Sequence, residues 1–290
     1  MIWAALVAVV TMEESQAQAR SIYTQHMFNE TVFNPAYAGS SERLSATALY
    51  RNQWVGLEGA PSTQILSVHA PIARRNFALG AQVLRDKIGV SSRTEIQSMF
   101  AYRVRFSEGA KLSMGLQAGG RWNKEGYSRL YDATEDVQFS EDDQRTEFLF
   151  GAGLYYHTQR FYVGASVPLL YATYQQATHS FITAGYVFDL SENLKLKPNV
   201  LLKMADNAPV SYDLNANLLF HEIIWFGVSY RSMESVGLLT QLKITEELTF
   251  GYSFDLPVAG ISTYSNGSHE IMLNYRIKIP SITYQSPRYF

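Results

Sequence analysis

The chain reads as an all-β protein, a transmembrane up-and-down antiparallel β-barrel of about fourteen strands with a short N-terminal periplasmic segment. Three observations predict it. Residues 248–256, Leu-Thr-Phe-Gly-Tyr-Ser-Phe-Asp-Leu, alternate large apolar with small or polar side chains. That is the two-residue period of a strand with two unlike faces. The same pattern recurs from Leu44 to Ile277, with turn signals between repeats. Short polar turns alternate with longer connections, the asymmetry of barrels that have short periplasmic turns and longer external loops. A sheet in hydrocarbon must satisfy every backbone amide among its own strands, and only a closed barrel does so.

The elements follow in order. Residues 1–19 read as a signal peptide, with the apolar run Ile2–Val10 and small residues Ala17 and Ala19 at the -3 and -1 positions. The n-region lacks a Lys or Arg. Residues 20–43 are too apolar for a free tail, and Asn34-Pro35 and Gly39 mark a turn into the first strand. Met27, Phe28, Val32, Phe33 and Tyr37 need cover there. A plug in the periplasmic mouth and a docking surface for a periplasmic partner both supply it.

Residues 44–277 form the barrel. Its candidate strands are 44–54, 63–70, 77–86, 94–106, 111–124, 147–157, 160–167, 179–188, 194–204, 211–220, 224–231, 235–244, 248–256 and 269–277. An even number returns both termini to the periplasmic side. Residues 278–290 are a C-terminal tail. No stretch beyond the first dozen residues is long and apolar enough for a membrane helix.

Facing assignments follow from the period. Leu112, Met114, Leu116 and Ala118 oppose Ser113, Gly115, Gln117 and Gly119, and Leu214, Ala216 and Leu218 oppose Asp213, Asn215 and Asn217. A charge on the lipid face costs about 2–4 kcal/mol near the midplane. Glu95, Arg103, Arg105, Asp213, Lys243, Asp255, Glu270 and Arg276 are therefore assigned to the lumen, paired across a blocked interior. The chain has 19 Tyr and 16 Phe, and many lie near strand ends, where aromatic girdles sit. A soluble sandwich or lipocalin-like barrel is the competing architecture, but it leaves strands over.

Chemistry is sparse. There are no cysteines, which removes disulfides, thiol catalysis and Cys-based metal sites. The six histidines are scattered, with no H-E-x-x-H. Gly151-Ala152-Gly153 lies inside a strand with no helix after it, and no G-x-S-x-G elbow occurs. The sequence thus points to no enzyme, cofactor or metal. The acidic run 134–143 lacks EF-hand spacing and reads as a solvated loop. Without Glu13 and Glu14, acidic residues match the 24 basic ones, which argues against nucleic acid. Exposed aromatics in the longer connections favour protein contacts: Tyr131, Phe139, Tyr171, Tyr174 and Tyr264. Phe28, Phe33, Asn34, Pro35 and Tyr37 are the corresponding candidates in the N-terminal segment.

Gln25-His26-Met27-Phe28, then Phe33-Asn34-Pro35-Ala36-Tyr37-Ala38-Gly39-Ser40, resembles the opening signature of the PorP/SprF family. That is an outer-membrane family of the type IX secretion system of Bacteroidetes. Tyr50-Arg51-Asn52-Gln53-Trp54-Val55-Gly56, Gly59-Ala60-Pro61-Ser62-Thr63 and Ser67-Val68-His69-Ala70-Pro71-Ile72 extend the resemblance. It fades into general barrel pattern beyond Gly120. It implies a non-enzymatic barrel in outer-membrane lipid that binds, anchors or helps export a specific secreted surface protein through that protein's type IX C-terminal domain. It also implies docking on periplasmic and outer-membrane secretion components. The expected contact loops are 125–146, 168–178 and 257–268, with Arg51 and Trp54 fixing the first strand near the N-terminal segment. A diffusion porin and a passive scaffold for the periplasmic machinery are the alternatives.

Overall fold

A computed structural model describes residues 23–72, 76–106, 109–129, 142–173, 178–206, 208–258 and 263–279. The strands are β1 (Arg43–Asn52), β2 (Ser62–Pro71), β3 (Phe77–Ile88), β4 (Ser91–Arg105), β5 (Lys111–Glu125), β6 (Asp143–His157), β7 (Phe161–Ala172) and β8 (His179–Tyr186). They continue as β9 (Phe188–Ser191), β10 (Leu194–Ala205), β11 (Ser211–Phe220), β12 (Ile224–Arg231), β13 (Ser235–Lys243), β14 (Leu248–Pro257) and β15 (Ser268–Lys278). β8 and β9 are two parts of one passage. Both pair with β10, and Val187 between them is buried. The wall therefore has fourteen antiparallel passages. The last strand pairs with the first, from Arg43 opposite Lys278 to Asn52 opposite His269, and this closes the cylinder.

The alternation runs opposite to that of a soluble protein. In β11, Tyr212, Leu214, Leu218 and Phe220 are exposed, while Asp213, Asn215 and Asn217 are buried. Leu66, Leu79, Ile96, Leu116, Leu154 and Leu238 likewise point outward. An apolar exterior around a polar interior is stable only in hydrocarbon. Among the described residues no helix is long and apolar enough to cross a membrane, so the strands make the crossing.

The two ends differ. One carries the connections 53–61, 89–90, 126–142, 173–178, 206–210, 232–234 and 258–267. The other carries 72–76, 106–110, 158–160, 192–193, 221–223 and 244–247. Sequence suffices for several short turns. His221 and Glu222 both have positive φ, 50° and 56°, and the Ile223 N–H bonds back to the Phe220 carbonyl at 3.0 Å. That is the mirror-image turn that matches strand twist.

The core lies inside the barrel and is built on the N-terminal segment. Tyr23, Met27, Phe28 and Val32 pack against Leu49, Ile65, Leu84, Leu239 and Met272 of the wall. Residues 23–42 are buried throughout. The segment folds as three single 3-10 turns, His26–Phe28, Glu30–Val32 and Pro35–Tyr37, and fills the lumen well beyond its mouth.

Candidate functional site

The segment begins near the long-connection end. The Thr24 and Gln25 N–H groups both donate to the Glu270 carboxylate at 2.9 Å. The Thr24 hydroxyl donates to Asp255 at 2.5 Å. Arg51 completes the cluster, 2.6 Å from Asp255 and 3.0 Å from Glu270. Its Nη1 also donates to Thr24 Oγ1 at 3.0 Å. Arg51, Asp255 and Glu270 lie within three residues of the long-connection ends of their strands. Desolvating one ion costs several kcal/mol, so these three persist only as a paired, hydrogen-bonded set.

The middle of the segment is held from several sides. Asn29 donates to Ser67 Oγ at 2.8 Å. Lys197 donates to the Met27 carbonyl at 3.2 Å, with its ammonium 5.1 Å from the Phe28 ring centre. Ser166 donates to the Phe33 carbonyl at 2.6 Å, and Phe33 packs on Phe181 and Leu201.

The Asn-Pro-Ala-Tyr-Ala-Gly run descends toward the short-turn end. Asn34 caps its 3-10 turn by accepting from the Ala36 N–H at 3.0 Å, and it donates to the Leu154 carbonyl at 3.0 Å. Pro35 opens the turn, a position with no N–H to satisfy. Tyr37 sets its ring edge-on to Tyr155 and His69, with centroids 5.4 and 5.7 Å away. Ala36 lies against Gly115, where a Cβ would strike the Ala36 backbone nitrogen. Gly39, at φ +72°, donates its N–H to His69 Nδ1 at 3.0 Å. Arg103 donates to the Ala38 carbonyl at 3.2 Å, and Glu42 pairs with Lys111, the first residue of β5.

Two further ion networks belong to the wall. Arg121 bridges Glu95 at 2.8 Å and Glu147 at 3.4 Å. Asp213 accepts from Lys203 at 2.6 Å and from Arg231 at 3.3 Å, and Arg231 also pairs with Glu234 at 2.8 Å. The interior charges thus pair along the wall and with the plug. Outside the strands, a Ser128 hydroxyl and backbone N–H hold the Asp142 carboxyl below the ordinary carboxylate range. The Lys243 ammonium does the same for Glu246.

Glu95, Arg103, Asp213, Asp255 and Glu270 are buried in the lumen, and Arg276 faces it half-buried. One assignment needs correction. Arg105 is exposed at the short-turn rim, the last residue of β4. Lys243, half-buried and in phase with the inward face, ends β13 at the same rim and pairs with Glu246 at 2.7 Å. The two-residue period carries them to the inner face, but both lie where that face meets water. Phe28, Phe33, Asn34, Pro35 and Tyr37 offer no free surface, because the wall covers all five. Tyr264 stands exposed in the connection 258–267, whereas Tyr171, also exposed, lies not in a connection but near the long-connection end of β7, opposite Phe150. Tyr131, Phe139 and Tyr174 lie outside the described residues.

Sequence reasoning missed Glu30, Glu42, Lys111, Arg121, Glu147 and Lys197. Arg121 and Lys197 were legible in principle, since they alternate in phase with Gln117 and Asn199. Glu30 and Glu42 had no periodic signal because the plug is irregular.

Fold and lumen together define an outer-membrane β-barrel whose lumen holds its own N-terminal segment. The sequence supplies the family: the model for the type IX secretion system membrane protein PorP/SprF matches residues 15–275. The chain belongs to that family, whose members are non-enzymatic membrane barrels of the type IX system. Among solved structures it is similar to the Acinetobacter baumannii outer membrane protein Omp33. Identity is 10%, with 82% of this chain and 100% of that one covered, at a TM-score of 0.48. It is also similar to the KdgM porin in complex with disordered oligogalacturonate, at 9% identity, 80% and 98% coverage and a TM-score of 0.38. A mutant of the Rh. blastica porin aligns at 10% identity, 81% and 99% coverage and a TM-score of 0.36. No protein of curated function matches the chain significantly.

Proposed function

We propose that this barrel is a sealed adaptor of the type IX secretion system. It holds one specific secreted surface protein at its long-connection end, through that protein's C-terminal domain. It meets periplasmic secretion components at its short-turn end, so that Arg43 and Lys278, the first and last residues of the wall, lie on the periplasmic side. The plug carries this reading. A segment bonded to Glu270, Ser67, Leu154, His69 and Lys111 occupies the lumen from one end to the other, which opposes passage of a folded protein. Function then falls to the two end surfaces, and the long-connection end offers Tyr171 and Tyr264, 61% and 72% exposed. Aromatic side chains of this kind anchor protein interfaces.

The test replaces residues 130–141 with a Gly-Ser linker and changes Tyr171 and Tyr264 to Ala. The barrel is then purified from its native membrane and its co-purifying proteins are identified. Loss of one secreted protein, with periplasmic components retained, supports the adaptor. Full retention of that protein removes the placement at the long-connection end. Single-channel recording of the unaltered barrel separates it from a diffusion porin, for which steady open conductance is required.

A further inference from the structure

The outer wall carries a local departure from its apolar pattern. Cross-strand register places Leu273, Ala48, Leu66, Val83 and Ile96 in one outward row. The next row toward the long connections is Ile271, Tyr50, Gln64, Arg85 and Thr94, and above it lie His269, Asn52, Ser62, Lys87 and Ser92. The hydrocarbon-facing belt thus gives way over two rows to amide, hydroxyl and cationic groups. Arg85 and Lys87 are exposed and alternate with the inward Leu84, so both point away from the lumen. Among the described residues neither has an ion-pair partner, whereas Lys124 at the same level has Asp142 at 3.5 Å.

A loop overhangs these rows and is tied on both sides. Val55 exchanges backbone hydrogen bonds with Gly267 and Asn266, each 2.8 Å, and the Gly59 carbonyl accepts from the Gly89 N–H at 2.8 Å. Between the loop and the wall is a cleft of about 330 Å³, lined by Tyr50, Asn52, Ser62 and Lys87 from the wall and Leu57 from the loop. Its volume is at the small end for ligand sites.

Resting on the proposed orientation, we infer that this cleft, together with Arg85 one row below its lining, binds the phosphorylated headgroup of a single lipid in the leaflet at the long-connection end. The acyl chains lie down the Leu66, Val83 and Ile96 row, and the phosphate sits between Arg85 and Lys87. Cations at the hydrocarbon border reach for the headgroup layer. A phosphate gives both of them charge-assisted partners, with Arg able to engage it bidentately. Asn52 and Ser62 add donors and acceptors for the rest of the headgroup.

Native mass spectrometry of the full barrel in detergent micelles, titrated with lipid A, tests the assignment. The unaltered protein is expected to retain one lipid A. Arg85→Gln with Lys87→Gln is expected to weaken retention roughly tenfold or more, the scale of a lost charge-assisted contact. Arg85→Lys with Lys87→Arg is expected to restore it. Fully dephosphorylated lipid A is expected to bind as weakly to the unaltered protein as lipid A does to the Gln variant. Excess inorganic phosphate is expected to leave lipid A in place. All these side chains point outward, so the heat-modifiable mobility of the folded barrel is the control for folding. Equal retention by the Gln variant, equal binding of the dephosphorylated lipid, failure of the charge-conserving variant or displacement by free phosphate each overturns the site.

Discussion

The Arg51 guanidinium lies 3.0 Å from the Thr24 hydroxyl, which joins the long-connection end of the first strand to the start of the plug. The plug then runs to the opposite end before it becomes that same strand at Arg43. Strand and plug are therefore two antiparallel traverses of one lumen, bonded at both ends.

Glu270→Ala should release the start of the plug while leaving the wall closed. It removes the acceptor of two backbone N–H groups, while Arg51 keeps Asp255 at 2.6 Å. Loss of one member of a buried charge cluster is worth about 3–5 kcal/mol, and part of that falls on plug attachment. Limited proteolysis of the folded barrel should then cut within residues 23–30. Undiminished protection would disprove the latch.

Gly115→Val tests the descending half. The added side chain meets the Ala36 backbone, and overpacking of this kind costs about 1–3 kcal/mol. The expected result is a folded barrel that leaks ions in a planar bilayer, with Leu116→Val on the outer face as a silent control. A barrel as tight as the original would mean that Ala36 can move without opening a path.

The lipid face is tested by Leu238→Arg, at a site 61% exposed on the outer wall. The expected loss is about 2–4 kcal/mol in urea unfolding from phospholipid vesicles. Tyr264→Arg, in the connection above the wall, should stay within about 0.5 kcal/mol. Equal effects would contradict an apolar belt immersed in lipid.

The Asp142–Ser128 contact should be acid-sensitive. Its folded carboxyl titrates below the ordinary value because Ser128 donates to the charged form. Its stabilisation is therefore complete above the unfolded value and is lost as pH falls through the lower folded one. Hydrogen exchange at the Ser128 amide, corrected for intrinsic rate, should quicken over that window, and Asp142→Asn should abolish the dependence.

Much of this molecule was legible from period and punctuation. Alternation in residues 248–256 and 211–220 set an inverted exterior, and breaks at His221-Glu222 and Ser191–Asn193 set the hairpins, because these are local properties of φ, ψ and side-chain size. The rim positions of Arg105 and Lys243 were not legible, since period two names a face but says nothing of height along the barrel. Nor did the pattern reveal what the lumen holds. The Asn34 contact with Leu154 spans 120 positions and the Thr24 contact with Glu270 spans 246. By itself the sequence determined that the chain must close around a polar interior. Only the tertiary structure decided that its own first turns occupy that space, because closure brings strands from opposite ends of the chain around one irregular segment whose partners share no period with it.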